Sequence, residues 1–299
     1  MKLHHFHEVV AIADHGSIRA AARHLKIAQP ALTRGLGELE REIGAPLFER
    51  RTRGVVVTAL GEAFVRRARL ILQEVRRVRE ESDQIRGATT GNVTVGLSIA
   101  AHLALLPTAL QPFRARYPNI RLHIIEGFYP TLEFGLRDGE VDFYIGPDSG
   151  RKILPELSKE VLFKGRRTIL CRAGHPLARK SSLADMCEAD WITTSITTQA
   201  EDEISVIFQR YSLPAPRLAL RSQSALTLMT CLSHSDLLAM VPVQWSKFAL
   251  TRGILATIDV TEELAAPDIV LIRRADLPMT PAANYLLDLM RRAQTRMGK

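Results

Sequence analysis

Gln29, Pro30, Thr33 and Arg34 lie within two helical turns of one another and share a face. An amide, a hydroxyl and a guanidinium presented together can read base edges in a major groove, where Arg pairs guanine and Gln pairs adenine. Downstream, Arg50, Arg51 and Arg53 crowd the segment that ends at Gly54. Guanidinium groups at a hairpin tip can lie along phosphates or enter a minor groove, although a solvated turn has the same composition. A second polar set is spread over the rest of the chain. Ser98, Thr193, Thr194 and Ser195 bring hydroxyls, Gln223 an amide, Phe128 and Tyr129 aromatic rings, and His102 one further donor. At strand ends and helix starts such groups receive anions, because free N–H groups and the helix dipole favour negative charge there. Each alone fits a helix cap or loop equally well; their convergence is what favours a site.

Catalytic patterns are missing from the sequence. It contains no G-x-S-x-G elbow, Walker loop or G-x-G-x-x-G fingerprint. His7-Glu8-Val9-Val10-Ala11 begins like a zinc-protease helix but ends on Ala where the second His belongs. His4, His5 and His7 do not share one helical face. No catalytic residue, metal ligand or cofactor is therefore assigned, and an enzyme is not expected. Cys171, Cys187 and Cys231 lack C-x-x-C spacing and read as buried free thiols, with no sign of a resolving partner for redox sensing.

The elements that must position these residues follow from periodicity. Leu3, Phe6, Val9, Val10 and Ile12 mark a first helix that stops at Gly16. Ser17 stands at an N-cap ahead of a short helix carrying Ile18, Ala21, Ala22 and Leu25. A third helix has Pro30 in its first turn and Leu32, Leu36, Leu39 and Ile43 facing inward. Two helices joined by a tight turn, the second amphipathic with a donor-rich outer face, form a helix-turn-helix, and the arginine hairpin behind it is a wing. From Ala59 to Arg86 there is no Pro, and an apolar stripe of Phe64, Ala68, Ile71, Leu72, Val75, Val78 and Ile85 predicts a long helix that pairs with its copy in a second subunit. Gly87 to Asn92 reads as a hinge. Beyond it strands alternate with helices, the signal of α/β folding with largely parallel sheets. In that reading Thr193, Thr194 and Ser195 follow Trp191-Ile192 at a crossover.

With 299 residues, the chain is long enough for two domains. Its net charge is +8, and residues 1–87 hold 16 Lys and Arg against 11 Asp and Glu, so most of the excess sits in the first third. That asymmetry favours an acidic partner for the N-terminal module. No apolar run approaches the roughly 20 residues that span a bilayer, and the N-terminus does not read as a signal peptide, so no membrane contact and a cytoplasmic location are expected.

Gly16 to Ala21, Leu25, Gln29-Pro30-Ala31-Leu32-Thr33, Leu39-Glu40, Gly44, Leu47-Phe48, Arg50, Thr58 and Gly61 together resemble the N-terminal signature of LysR-type transcriptional regulators. Ala28 stands where that family usually carries Ser, and Gly35 and Gly37 interrupt the recognition helix. The resemblance implies a winged helix-turn-helix over 1–58, a linker helix over 59–87 that dimerises, a hinge at 88–92, and a periplasmic-binding-protein-like effector domain of two α/β subdomains over 93–299. It implies that Ser17, Arg19, Gln29, Pro30, Thr33, Arg34, Arg50, Arg51 and Arg53 contact promoter DNA. It further implies a small-molecule effector at Ser98, His102, Phe128, Tyr129, Thr193, Thr194, Ser195 and Gln223. A small organic acid fits their chemistry. A homodimer or homotetramer through the linker helix and effector domain is expected, with RNA polymerase open as a further partner. The alternatives are a DNA-binding protein of this fold without an effector, and an exported solute receptor, which leaves residues 1–87 without a role.

Overall fold

The computed structural model describes residues 1–51, 54–194, 199–222 and 224–297, and at 50, 194, 199–202, 247, 250, 296 and 297 the backbone alone. Two compact units divide the chain: Met1–Thr90 with Arg137–Glu140, and Gly91–Leu136 with Val141–Lys299.

In the first unit, α1 (Leu3–His15), α2 (Ile18–Leu25) and α3 (Gln29–Ile43) pack around Val9, Ile12, Ala21, Leu32, Leu36 and Leu39. Gly16 ends α1 in the left-handed region (φ +60°) and its N–H reaches Ile12 O at 2.9 Å, a conformation that costs a side-chain-bearing residue free energy. Ser17 caps α2 by accepting from Ala20 N–H. The antiparallel hairpin of β1 (Phe48–Arg51) and β2 (Gly54–Val57) is held to the helices by Val55 N–H donating to Gly16 O at 3.0 Å. Thr58 caps the long helix α4 (Ala59–Ile85), accepting from Gly61 N–H at 2.9 Å and donating to Pro46 O at 3.0 Å. The expected stripe on α4 divides. Phe64 and Val65 turn onto the three-helix core, with Phe64 stacked on Phe6 at 5.8 Å, and Ala68 is buried. Ile71, Val78 and Ile85, spaced by seven, are 39%, 60% and 71% exposed.

The strand β3 (Thr90–Leu97) starts at the last residue of the first unit and runs into the second, so Thr90 to Asn92, read as hinge, already belong to a strand. Then come α5 (Ile99–Arg116), β4 (Asn119–Glu126), α6 (Tyr129–Arg137), β5 (Phe143–Pro147), β6 (Leu157–Phe163) and β7 (Arg167–Arg172). They are followed by β8 (Asp190–Thr194), α7 (Gln199–Arg210), β9 (Arg217–Ser222), α8 (Ala225–Ser233), β10 (Ala239–Pro242), β11 (Leu255–Ile258), β12 (Ile269–Arg274) and α9 (Pro281–Met297). A sheet in the order β4-β3-β5-β12-β6 forms one subdomain, with α5 and α9 on one face and α6 on the other. The other subdomain is built from β10-β7-β11 and β8-β9, linked by Ile192 N–H donating to Leu238 O at 2.8 Å. Its two faces carry α7, through Ile204, Ile207 and Phe208 against Trp191, and α8, through Leu228 and Leu232.

The sheets are mixed rather than largely parallel. β12 returns from the second subdomain to insert antiparallel between β5 and β6, and β7 pairs antiparallel with both β10 and β11. Strands β6 and β11 carry no clear alternation: β6 is an edge strand exposing Lys159, Glu160 and Val161, and β11 has four residues. The chain crosses between subdomains at Lys164–Arg166 and Ala265–Asp268, which pair through a bridge at Arg166 and Ala265. Thr193 and Thr194 therefore do not lie at a crossover; they end β8 inside the second subdomain.

Candidate functional site

On α3 the outward face is Gln29, Pro30 and Arg34, all exposed, with Thr33 half-buried. Thr33 Oγ1 donates to Gln29 O at 3.0 Å, so its hydroxyl is left mainly as an acceptor. Ala28, at the N-cap, supplies no side-chain cap, and Pro30 follows in the first turn. The first turn is therefore open to an outside acceptor such as a phosphate. The Arg34 guanidinium makes no ion pair among the described residues and stays free for a base or phosphate. Arg19 is exposed on α2, whereas Ser17 is occupied as a cap. On the wing, Arg51 is exposed and pairs with Glu49 at 2.7 Å. The Arg50 side chain and all of Arg53 lie outside the described residues.

The two glycines of α3 differ. At Gly37 a Cβ would meet open space. Gly35 is buried against α1, where a Cβ would stand 2.3 Å from Glu8 Oε2. Its missing side chain leaves room for Glu8 of α1 to lie over α3.

In the second unit a cleft of about 1200 Å³, open mouth included, lies between the subdomains. Ser98, Phe128, Tyr129 and Thr193 line it together. Ser98 is buried and caps α5, its Oγ accepting from Ala101 N–H at 3.4 Å, which leaves the hydroxyl proton available to a ligand. Thr193 is buried at the end of β8. Phe128 is half-buried and offers its ring. Tyr129 is 2% exposed, packs beside Tyr144 and donates to Glu133 at 2.5 Å. Burial, then the carboxylate of Glu133, pushes its phenol far above the ordinary range, so it acts as a neutral wall. His102 is not on the lining; its Nδ1 lies 3.1 Å from Ser98 O, one turn back along α5. Ser195, Gln223 and the Thr194 side chain fall outside the described residues.

Residue periodicity did not single out Arg166, Arg167, Asp148, Glu203, Met240 or Gln244, which also line the cleft. Arg167 and Glu203 pair with each other, and Asp148 pairs with Lys159 at 2.8 Å. Arg166 is exposed and has no ion-pair partner among the described residues.

The family described as bacterial regulatory helix-turn-helix protein, lysR family, matches residues 3–62, and the LysR substrate binding domain matches residues 86–295. The chain belongs to the LysR family. It is a DNA-binding transcriptional regulator with an effector-binding domain, and neither the family nor its relatives are enzymes. The transcriptional regulator GbpR of Azospirillum brasilense is 26% identical over 308 residues, spanning 100% of this chain and 89% of that protein. GalR of Pseudomonas putida is 28% identical over 290 residues, 97% of this chain and 73% of that protein. Among solved structures, full-length CbnR complexed with its target DNA superposes with a TM-score of 0.69 at 21% identity, over 98% of this chain and 100% of that one. A mutant of OxyR from Corynebacterium glutamicum gives 0.59 at 25% identity, over 99% and 92%.

In Gly174-His175-Pro176-Leu177, buried His175 accepts from Leu177 N–H at 3.0 Å through Nδ1, and its Nε2 lies 3.1 Å from Asp236 O. Arg172 holds the Asp236 carboxylate at 2.7 Å. These contacts anchor the Asp236 end of the Ser233–Asp236 turn. Cys171 and Cys187 are free, and burial pushes both thiols up, against thiolate chemistry at neutral pH. Among the described residues no helix is long and apolar enough to cross a membrane.

Proposed function

We propose that this regulator responds to a small organic acid bound in the cleft between its C-terminal subdomains. The charge balance of the lining carries the reading. With Arg167 matched by Glu203 and Asp148 by Lys159, Arg166 remains as a surplus cation on the same lining as the Ser98 and Thr193 hydroxyls and the α5 N-terminus. A carboxylate gains charge-assisted hydrogen bonds in such surroundings, and Phe128 supplies an apolar contact for its body. An arginine thus joins a site first read as hydroxyls and helix ends alone. On the DNA side, Gln29, Pro30, Thr33 and Arg34 enter the major groove, with Ser17 and Arg19 against the backbone and the wing arginines Arg50, Arg51 and Arg53 on the flanking groove. The exposed heptad of Ile71, Val78 and Ile85 supports a homodimer, or a tetramer built from dimers, through α4. Effector and promoter occupancy are then linked reciprocally, each limited by its differential affinity for the two states.

Calorimetry on the full chain with a panel of mono- and dicarboxylates beside neutral sugars tests the effector. A carboxylate should bind, and Ser98→Ala and Arg166→Ala should each weaken it by about tenfold or more, the worth of one hydrogen bond to a charged group. Binding of a neutral sugar alone rejects the acid, and equal affinity in both variants moves the site out of this cleft.

A further inference from the structure

His4, His5 and Glu8 share the outer end of α1, and their ligand-capable atoms all lie within 4.8 Å of one another. The pattern His-His-x-x-Glu places Glu8 one turn beyond both histidines, so one face can offer two imidazoles and a carboxylate although His7 points elsewhere. Two of the three groups are more than nine-tenths buried, His5 at 4% and Glu8 at 8% exposure. Each keeps a buried atom without a partner, His5 Nε2 and Glu8 Oε2. Orphaned polar atoms of this kind are costly and rare, and here two of them occur in one cluster. Glu38, on α3, adds negative potential beside both His5 and Glu8, whereas Glu42 is paired with the Met1 ammonium at 2.6 Å. His4 is exposed and gives the cluster a route from solvent.

We propose that His4, His5 and Glu8 form a binding site for one divalent transition-metal ion, zinc being the best match. Two imidazoles and a carboxylate are a borderline donor set that suits zinc and cobalt and does not suit magnesium, which prefers oxygen ligands and retains its waters. Ligands at zinc distances stand about 3.4 Å apart, so the ion draws the three groups together from their present spread of up to 4.8 Å, and water completes the shell. The bound ion supplies a partner to both orphaned atoms; His5 then carries its proton on Nδ1, and the 3.3 Å contact that this nitrogen accepts from Lys2 N–H is given up. Because Glu8 also lies against Gly35, the ion sits where α1 meets the DNA-reading helix.

The test is titration of the full chain, carrying no added histidines, with Zn²⁺ and with Co²⁺, in wild type, His4→Ala, Glu8→Gln and His24→Ala. The last variant controls for the separate pair His15 and His24, whose rings are 4.6 Å apart. The expected result is one Zn²⁺ per chain by calorimetry and a visible Co²⁺ absorption band, both weakened at least tenfold by His4→Ala and by Glu8→Gln, with His24→Ala unchanged and Mg²⁺ silent. His4 is exposed and Glu8→Gln keeps the side-chain shape, so both variants should fold, which their melting curves verify. No stoichiometric Zn²⁺ binding, equal affinity in His4→Ala and Glu8→Gln, or loss only in His24→Ala would each overturn the site.

Discussion

Gly165 and Pro267 stand on the two segments that cross between the subdomains of the effector domain, so close that a Cβ at 165 would lie 1.8 Å from the Pro267 carbonyl oxygen. Backbone cannot swing aside as a side-chain end can. The cleft walls on either side, Arg166 and Ala266, are carried by the same two segments. Gly165→Ala should therefore force the crossovers apart at a cost of about 1–3 kcal/mol, typical of overpacking. A fall in melting temperature of roughly 3–10 °C follows for a domain of this size, together with weaker effector binding. An unchanged melting curve would mean that the crossovers separate freely.

Arg34 is the exposed, unpaired guanidinium on the outer face of α3. Removing it with Arg34→Ala should cost about 1–3 kcal/mol of operator affinity, roughly 5- to 150-fold, and relax specificity at one base position. Gel-shift titration on the native operator checks this, and retained affinity and specificity would place base reading elsewhere on α3.

For assembly, Val78 is the better probe than Leu72, because Leu72 is half-buried whereas Val78 is 60% exposed between Ile71 and Ile85. In a paired helix Val78→Lys puts an ammonium into an apolar seam, which is unfavourable unless it finds a partner. Sedimentation should show the assembly dissociating at micromolar concentration. If the parent mass persists, the stripe is not the subunit contact.

Glu262 makes a pH-sensitive contact in the second subdomain. Burial pushes its carboxyl up, but donation from Ser182 Oγ at 2.6 Å and Leu183 N–H at 2.9 Å, with Thr261 beside it, outweighs this and holds the pKa below the usual glutamate value of 4.5. A lowered folded-state pKa contributes stability that is present above the unfolded value and lost as pH falls through the folded one. Glu262→Gln should therefore lower the melting temperature modestly at pH 7, and the difference from wild type should shrink below about pH 4.5. A difference independent of pH would assign the effect to shape rather than charge.

Local sequence carried the N-terminal module almost completely. The three-helix period, the stop at Gly16, the cap at Ser17 and the outer face of α3 depend on residues within a few positions of one another, and helices are built from such contacts. It carried the positions of Ser98, Phe128 and Thr193 for the same reason: each ends a strand or starts a helix, and those ends carry free backbone groups. What periodicity could not contain was pairing at long range. The antiparallel insertion of β12 between β5 and β6, the division of the α4 stripe between its own core and solvent, and the placing of Arg166 in the cleft arise from contacts between segments distant in the chain. Gly35 makes the same point on a smaller scale. As a letter it reads only as a poor helix former, and it took the approach of α1, with Glu8 lying over it, to give the missing side chain a reason.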